Sequence, residues 1–190
     1  MELKGSKTEK NLLAAFAGES QARNRYTFFA SAAKKEGFEQ ISSIFLQTAE
    51  EEKEHAKLFF KQLKGGEVMI SAGYPAGMIG KTLDNLKAAA EGEKMEWGSL
   101  YPDFAKTAKK EGFAEIASLF EWVAKVEATH EARYAKLWEN MKKGTVFKAK
   151  TMAKWHCRNC GYVHEGKTAP VECPVCNHPQ AYFEIFSENY

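Results

Sequence analysis

Apolar residues recur at intervals of three and four through most of this 190-residue chain, falling into four long runs separated by glycines. The first run opens on Ser6-x-x-Glu9, a capping-box signature, and its stripe reads Leu12, Phe16, Glu19, Arg23, Tyr26 and Ala30 before a stop at Gly37. The second extends from about Phe38 to Lys64, with Ile41, Ile44, Phe45, Thr48, Glu52, His55 and Phe59 on one face. A glycine-rich segment from Gly65 to Gly80, carrying Pro75, then breaks the period. The third run spans Lys81 to Glu111 and stops at Gly112; the fourth covers Phe113 to Lys143 and stops at Gly144. The fourth carries Ile116, Leu119, Val123, Glu127, His130, Tyr134, Leu137 and Met141 on one face. These runs predict a mainly α four-helix bundle over residues 1–145, its middle segment a crossover from one end to the other.

The two halves repeat at an offset of 75. Ala33-Lys-Lys-Glu-Gly-Phe38 recurs as Ala108-Lys-Lys-Glu-Gly-Phe113, and Tyr26 maps onto Tyr101. A duplicated helical hairpin is implied. One spacing differs: Glu19 precedes Tyr26 by seven residues, whereas Glu93 precedes Tyr101 by eight. A single extra residue in a helix is absorbed as a π-turn, which would aim both Glu93 and Glu96 inward.

Carboxylates within an apolar stripe need a partner, because removing a charge from water costs several kcal/mol. Glu52-x-x-His55 and Glu127-x-x-His130 each place an oxygen and a nitrogen on one helical face, at matching repeat positions. With Glu19 and Glu93 on the other two helices, they form the ligand set of a di-iron or di-manganese carboxylate bundle. Glu52 and Glu127 are the expected bridging carboxylates, Glu19 and Glu93 the terminal ones, and Glu96 a fifth negative charge. Tyr26 and Tyr101 read equally as core aromatics or as donors to these carboxylates. Glu50, Glu51, Glu54 and Glu131 lie off the seam and are expected to face solvent.

All four cysteines lie in the tail, as Cys157-Arg-Asn-Cys160 and Cys173-Pro-Val-Cys176. Two such knuckles surround one tetrahedral metal, and the spacing alone leaves zinc and iron equally open. Residues 146–190 are therefore expected to form a small metal-stapled β domain, with Trp155, Tyr162, Tyr182, Phe183 and Phe186 as its apolar shell. His156, His164 and His178 are expected on its surface.

A net charge of +2 argues against nucleic acid or a membrane surface as partner. No apolar run approaches the roughly 18 residues that span a bilayer, and no secretory signal is visible, so the expected location is the cytoplasm. From Glu127 to Gly144 is seventeen residues of helix, roughly 25 Å, so the tail is poorly placed to serve its own bundle. A head-to-tail dimer would bring it to a neighbour's. Iron storage, a zinc-ribbon interaction module, and oxygenase or manganese catalase chemistry are the competing readings.

Glu19, Glu52-x-x-His55, Glu93-x-x-Glu96 and Glu127-x-x-His130, followed by the two cysteine knuckles, resemble rubrerythrin over essentially the whole chain. The resemblance implies a ferritin-like bundle holding two iron ions with oxo and carboxylate bridges, fused to a rubredoxin-like domain with one iron on Cys157, Cys160, Cys173 and Cys176. It implies reduction of hydrogen peroxide to water by a homodimer, supplied by an electron donor such as a rubredoxin or an NAD(P)H-dependent reductase. The residues it places at the reaction are Glu52, Glu127, Glu96, His55, Tyr26 and Tyr101. Glu96 and His55 are implied to exchange as ligands of one iron.

Overall fold

The computed structural model describes residues 2–188. Helix α1 spans Lys7–Lys35, and Ser6 caps it by accepting from the Glu9 N–H at 3.0 Å. The Glu9 carboxylate reaches back to the Gly5 N–H at 2.7 Å, one residue beyond the capping-box expectation. Helix α2 covers Glu39–Gln62, and an irregular segment then crosses the bundle to α3, Thr82–Met95. Tyr74 pins that segment to α1 by donating to the Ala14 carbonyl at 2.8 Å. Glu96–Leu100 form a π-turn closed by the Tyr101 N–H on the Glu96 carbonyl. Helix α4, Tyr101–Lys110, continues the same column, and α5 spans Ala114–Lys142. Pro102 sits in the first turn of α4, where the wider π-turn before it tolerates the missing N–H. The extra residue foreseen between Glu93 and Tyr101 is thus accommodated, with both Glu93 and Glu96 buried.

Symmetry extends to the helix ends. Glu36 and Glu111 hold the same place in the repeated Lys-Lys-Glu-Gly-Phe turn. Glu111 accepts from the N–H groups of Lys7 and Thr8 at the start of α1, and Glu36 accepts from the Thr82 N–H at the start of α3. Each hairpin turn therefore caps the opposite hairpin, placing a carboxylate where the helix dipole favours one.

Two aromatic clusters fill the bundle. Tyr26, Phe29, Phe45 and Tyr134 form one, and Phe59, Tyr101 and Phe120 form the other. Phe45 and Tyr26 are the counterparts of Phe120 and Tyr101, and Tyr134 of Phe59. The acidic layer lies between the clusters.

The tail is a three-stranded antiparallel sheet in the order β2-β1-β3: β1 Lys148–Cys157, β2 Val163–Thr168 and β3 Phe183–Ile185. Its core is Trp155, Phe183, Ala169 and the buried cysteines, flanked by Tyr162 and Tyr182. Phe186 lies outside this core and packs on His156 instead. The tail docks on the α1–α2 turn, where Phe147 stacks on Phe38 at 6.1 Å and Ala181 lies beside Gly37, whose φ of +82° favours glycine. No described helix is long and apolar enough to cross a membrane.

Candidate metal centres

Four helical columns each deliver acid to one buried layer. Donor atoms of Glu19, Glu52, His55 and Glu127 lie within 4.8 Å of one another, and so do those of Glu52, Glu93, Glu127 and His130. The two groups share Glu52 and Glu127. Two groups with two carboxylates in common could hold two neighbouring metal ions, with Glu52 and Glu127 available to both.

Apart from a hydrogen bond between His55 Nδ1 and Glu52 Oε2 at 2.9 Å, the donor atoms around this centre converge without satisfying each other. His130 Nδ1 lies 2.7 Å from Glu127 Oε2 and 3.1 Å from Glu52 Oε1, yet neither contact has hydrogen-bond alignment. Glu19 Oε2, Glu93 Oε2 and both Glu127 oxygens are likewise buried with no hydrogen-bond partner. Buried polar atoms are almost always paired, and those left over here crowd a common centre. Mixed carboxylate and imidazole donors suit iron(II) or manganese(II), so these residues fit a pair of divalent ions.

Two tyrosines orient the outer carboxylates across the bundle. Tyr26 donates to Glu93 Oε1 and Tyr101 donates to Glu19 Oε1, each from the opposite hairpin. Both readings of these tyrosines meet here: each ring packs in an aromatic cluster while its hydroxyl donates to a carboxylate. Glu96 is buried but belongs to neither donor group; His55, not Glu96, stands beside Glu19. A cavity of about 480 Å³ under the crossover, lined by Gly18, Arg25, Tyr74, Met95 and Phe104, reaches Glu96 and Tyr101.

The charges in the layer are strained by burial. Burial, and then the other carboxylates, push Glu19 and Glu96 well above the usual carboxylate range and Glu93 up to about 8. Burial also opposes ionised Glu52, but His130 and His55 outweigh it and bring Glu52 down to about 2. The same carboxylates overcome burial at the imidazoles, raising His55 to about 10 and His130 to about 12. In the metal-free protein the histidines thus act as the cations.

A pH dependence follows from these signs. Glu93, Glu19 and Glu96 favour the fold while protonated, so their contribution is full below pH ~4.5 and fades as pH rises, for Glu93 through about 8. His55 and His130 contribute fully below pH ~6.5 and lose it toward about 10 and 12. Glu52 acts oppositely, its contribution fading as pH falls below ~4.5. Glu51, held low against its partial burial by Gln47, Arg133 and His130, acts in the same direction. The thermal midpoint of the metal-free bundle, followed by helical circular dichroism, should fall by about 5–10 °C between pH 5 and pH 8. Iron or manganese should abolish most of that slope. A flat profile without metal would contradict the buried charges described.

Glu51 departs from expectation. Glu50 and Glu54 are exposed, but Glu51 is half-buried, with Oε2 3.0 Å from His130 Nε2 and 3.0 Å from Arg133 Nη2. Its angular position pointed outward, but the long side chain folds back along α2. Thr48 completes the contact, accepting from Arg133 at 2.6 Å. Glu131 is only partly exposed.

In the tail, the four sulfurs also gather within 4.8 Å. Both knuckles repeat one geometry. The N–H groups of Gly161 and Asn177 donate to the carbonyls of Cys157 and Cys173, and both residues adopt positive φ. Cys157 and Cys173 are buried and Cys160 is exposed. Burial opposes ionisation of Cys176, yet the His178 N–H and neighbouring polar groups bring it down to about 6. His178 is no free surface group: its ring packs on Tyr182 at 4.5 Å and Nδ1 lies 3.1 Å from the Cys176 carbonyl. His156 and His164 are partly buried.

A family model described as rubrerythrin matches residues 10–151, and one described as the rubredoxin-like domain of rubrerythrin matches residues 155–184. The rubrerythrin of Porphyromonas gingivalis is 61% identical over 188 residues, covering 99% of this chain and 94% of that protein. Nigerythrin in its fully reduced, all-ferrous state aligns with a TM-score of 0.61 at 30% identity, covering 97% of this chain and 91% of the other. An open-pore ferritin from Archaeoglobus fulgidus shares the bundle fold alone, with a TM-score of 0.63 at 19% identity over 75% of this chain and 88% of the other.

Proposed function

Because the chain belongs to the rubrerythrin family, whose members are generally oxidoreductases, we propose that it is a non-haem di-iron peroxidase reducing hydrogen peroxide to water. The observation that carries this reading is the pair of donor groups sharing Glu52 and Glu127. Each peroxide consumes two electrons and two protons and yields two waters. Two ferrous ions, when bound, supply both electrons together, so that no hydroxyl radical need be released.

The remaining work falls to the chain. Glu52 and Glu127 would hold both ions, Glu19 and His55 one, and Glu93 and His130 the other. Tyr26 and Tyr101 hold protons on the Glu93 and Glu19 oxygens, beside the site and away from bulk water. Glu96, buried yet outside both donor groups, is a further carboxylate available to a metal or a proton, and the cavity under the crossover offers a small polar oxidant a path to it. The cysteine cluster would hold a third iron and pass electrons singly, received from a rubredoxin or an NAD(P)H-dependent reductase. A head-to-tail homodimer in the cytoplasm is part of the same proposal; four free thiols suit a reducing compartment. Iron storage has no use for such a tail.

The test is stopped-flow mixing of the fully reduced protein with peroxide while the visible thiolate-to-iron band is recorded. The band should grow as the tail iron is oxidised, faster with peroxide than with dioxygen. Oxidation by dioxygen alone would exclude a peroxidase.

A further inference from the structure

The duplicated halves match at Glu52 and Glu127 and at His55 and His130, but differ in what stands behind each histidine. His130 turns Nδ1 toward Glu127 and Glu52, while its Nε2 lies 3.0 Å from Glu51 Oε2. Glu51 is itself held. Arg133 Nη2 donates to Oε2 at 3.0 Å, and Gln47 Nε2 donates to Oε1 at 2.9 Å. Arg133 also donates to Thr48 Oγ1, which donates in turn to the Ile44 carbonyl. At the offset of 75 all four polar residues give way to apolar ones: Glu51 to Val126, Arg133 to Leu58, Thr48 to Val123 and Gln47 to Trp122. Among the described residues, His55 makes its polar contacts through Nδ1 alone, with Glu52 and Glu127. Its side chain is 9% exposed, against 3% for His130.

An imidazole that offers Nδ1 to a metal carries its proton on Nε2. A carboxylate accepting a hydrogen bond from that N–H fixes the tautomer and ring angle and makes the ligand more basic. Glu51 can accept there; Val126 cannot. We propose that Glu51, backed by Arg133, is a positioning residue that ties down His130. The position formed by Glu52, Glu93, Glu127 and His130 then holds its metal more tightly than the one formed by Glu19, Glu52, His55 and Glu127. The inference rests on the two-metal reading of this layer and adds an order of affinity that the ligands alone do not set.

Manganese(II) is the probe, because it prefers oxygen and nitrogen donors to the thiolates of the tail. Titration of the metal-free full chain, followed by loss of the free-manganese EPR signal, should show a tight step and a weak one. Glu51→Val should weaken the tight step about 10–100-fold and leave the weak step near its native value. Arg133→Leu should move the same step in the same direction by less. Glu51→Gln, whose amide oxygen still accepts from Nε2, should keep most of the separation. Val126→Glu combined with Leu58→Arg, which rebuilds the tether behind His55, should tighten the weak step. Circular dichroism verifies that each variant is folded. Equal weakening of both steps, or Gln no better than Val, would make Glu51 a source of charge or stability and overturn the inference. So would two native steps of equal affinity. A native chain that binds no manganese in the bundle would instead refute the two-metal reading, and the inference with it.

Discussion

Glu52→Ala and Glu127→Ala should each strip the bundle of both metals and lower peroxide reduction by at least about a thousandfold. Glu19→Ala and Glu93→Ala should each cost one. The difference follows from the arrangement: Glu52 and Glu127 occur in both donor groups, Glu19 and Glu93 in one apiece. Removing a shared carboxylate takes a donor from each position and leaves His55 or His130 facing a weakened partner. Iron content after reconstitution decides the matter, with the tail's thiolate-to-iron band as an internal check that the chain is folded and loaded. In stopped-flow mixing, both alanine variants should leave that band reduced after peroxide. Glu127→Ala retaining one tightly bound iron in the bundle would show Glu127 to be terminal, and the bridging assignment would fail.

Much of this site was legible in the chain because the duplication marks it twice. A single Glu-x-x-His motif is common on a charged helix; two at the same offset as Tyr26 and Tyr101 share a cause. The eight-residue spacing from Glu93 to Tyr101 likewise announced the π-turn, since a helix has no other place for one extra residue. Glu51 was missed because helical angle predicts where Cβ points, not where three further bonds carry a carboxylate. Arg133, in reach only after folding, draws it back toward His130. The crossed caps leave a signal in the sequence. An acidic residue at the last turn opposes the helix dipole. Glu36 and Glu111, repeated at that unfavourable place, each serve the beginning of another helix. Docking of the tail depends on Phe38, Phe147 and Ala181, which share no periodicity, and no pattern could have shown it.

That docking bears on the last expected result. The tail rests on the α1–α2 turn, at the start of α2, and Glu52 lies 13 residues beyond Glu39, roughly 20 Å along the helix. Tunnelling rates fall steeply over such a span, so a tail lying at the end of its own bundle would be a slow donor to it. In the head-to-tail dimer proposed above, each tail would serve the partner's bundle. Cys160→Ser should then abolish turnover with an external donor while leaving the bundle metals in place, because the fourth thiolate of the tail is gone. Glu127→Ala should be equally inactive for the opposite reason. Mixing the two inactive chains through unfolding and reassembly should restore activity, since the intact tail of one faces the intact bundle of the other. Random pairing makes half the dimers mixed, each with one working circuit of two, so recovery should approach about a quarter of the native rate. Recovery absent from a mixture shown to contain mixed dimers would mean that electrons pass within one chain, and the trans arrangement would have to be abandoned.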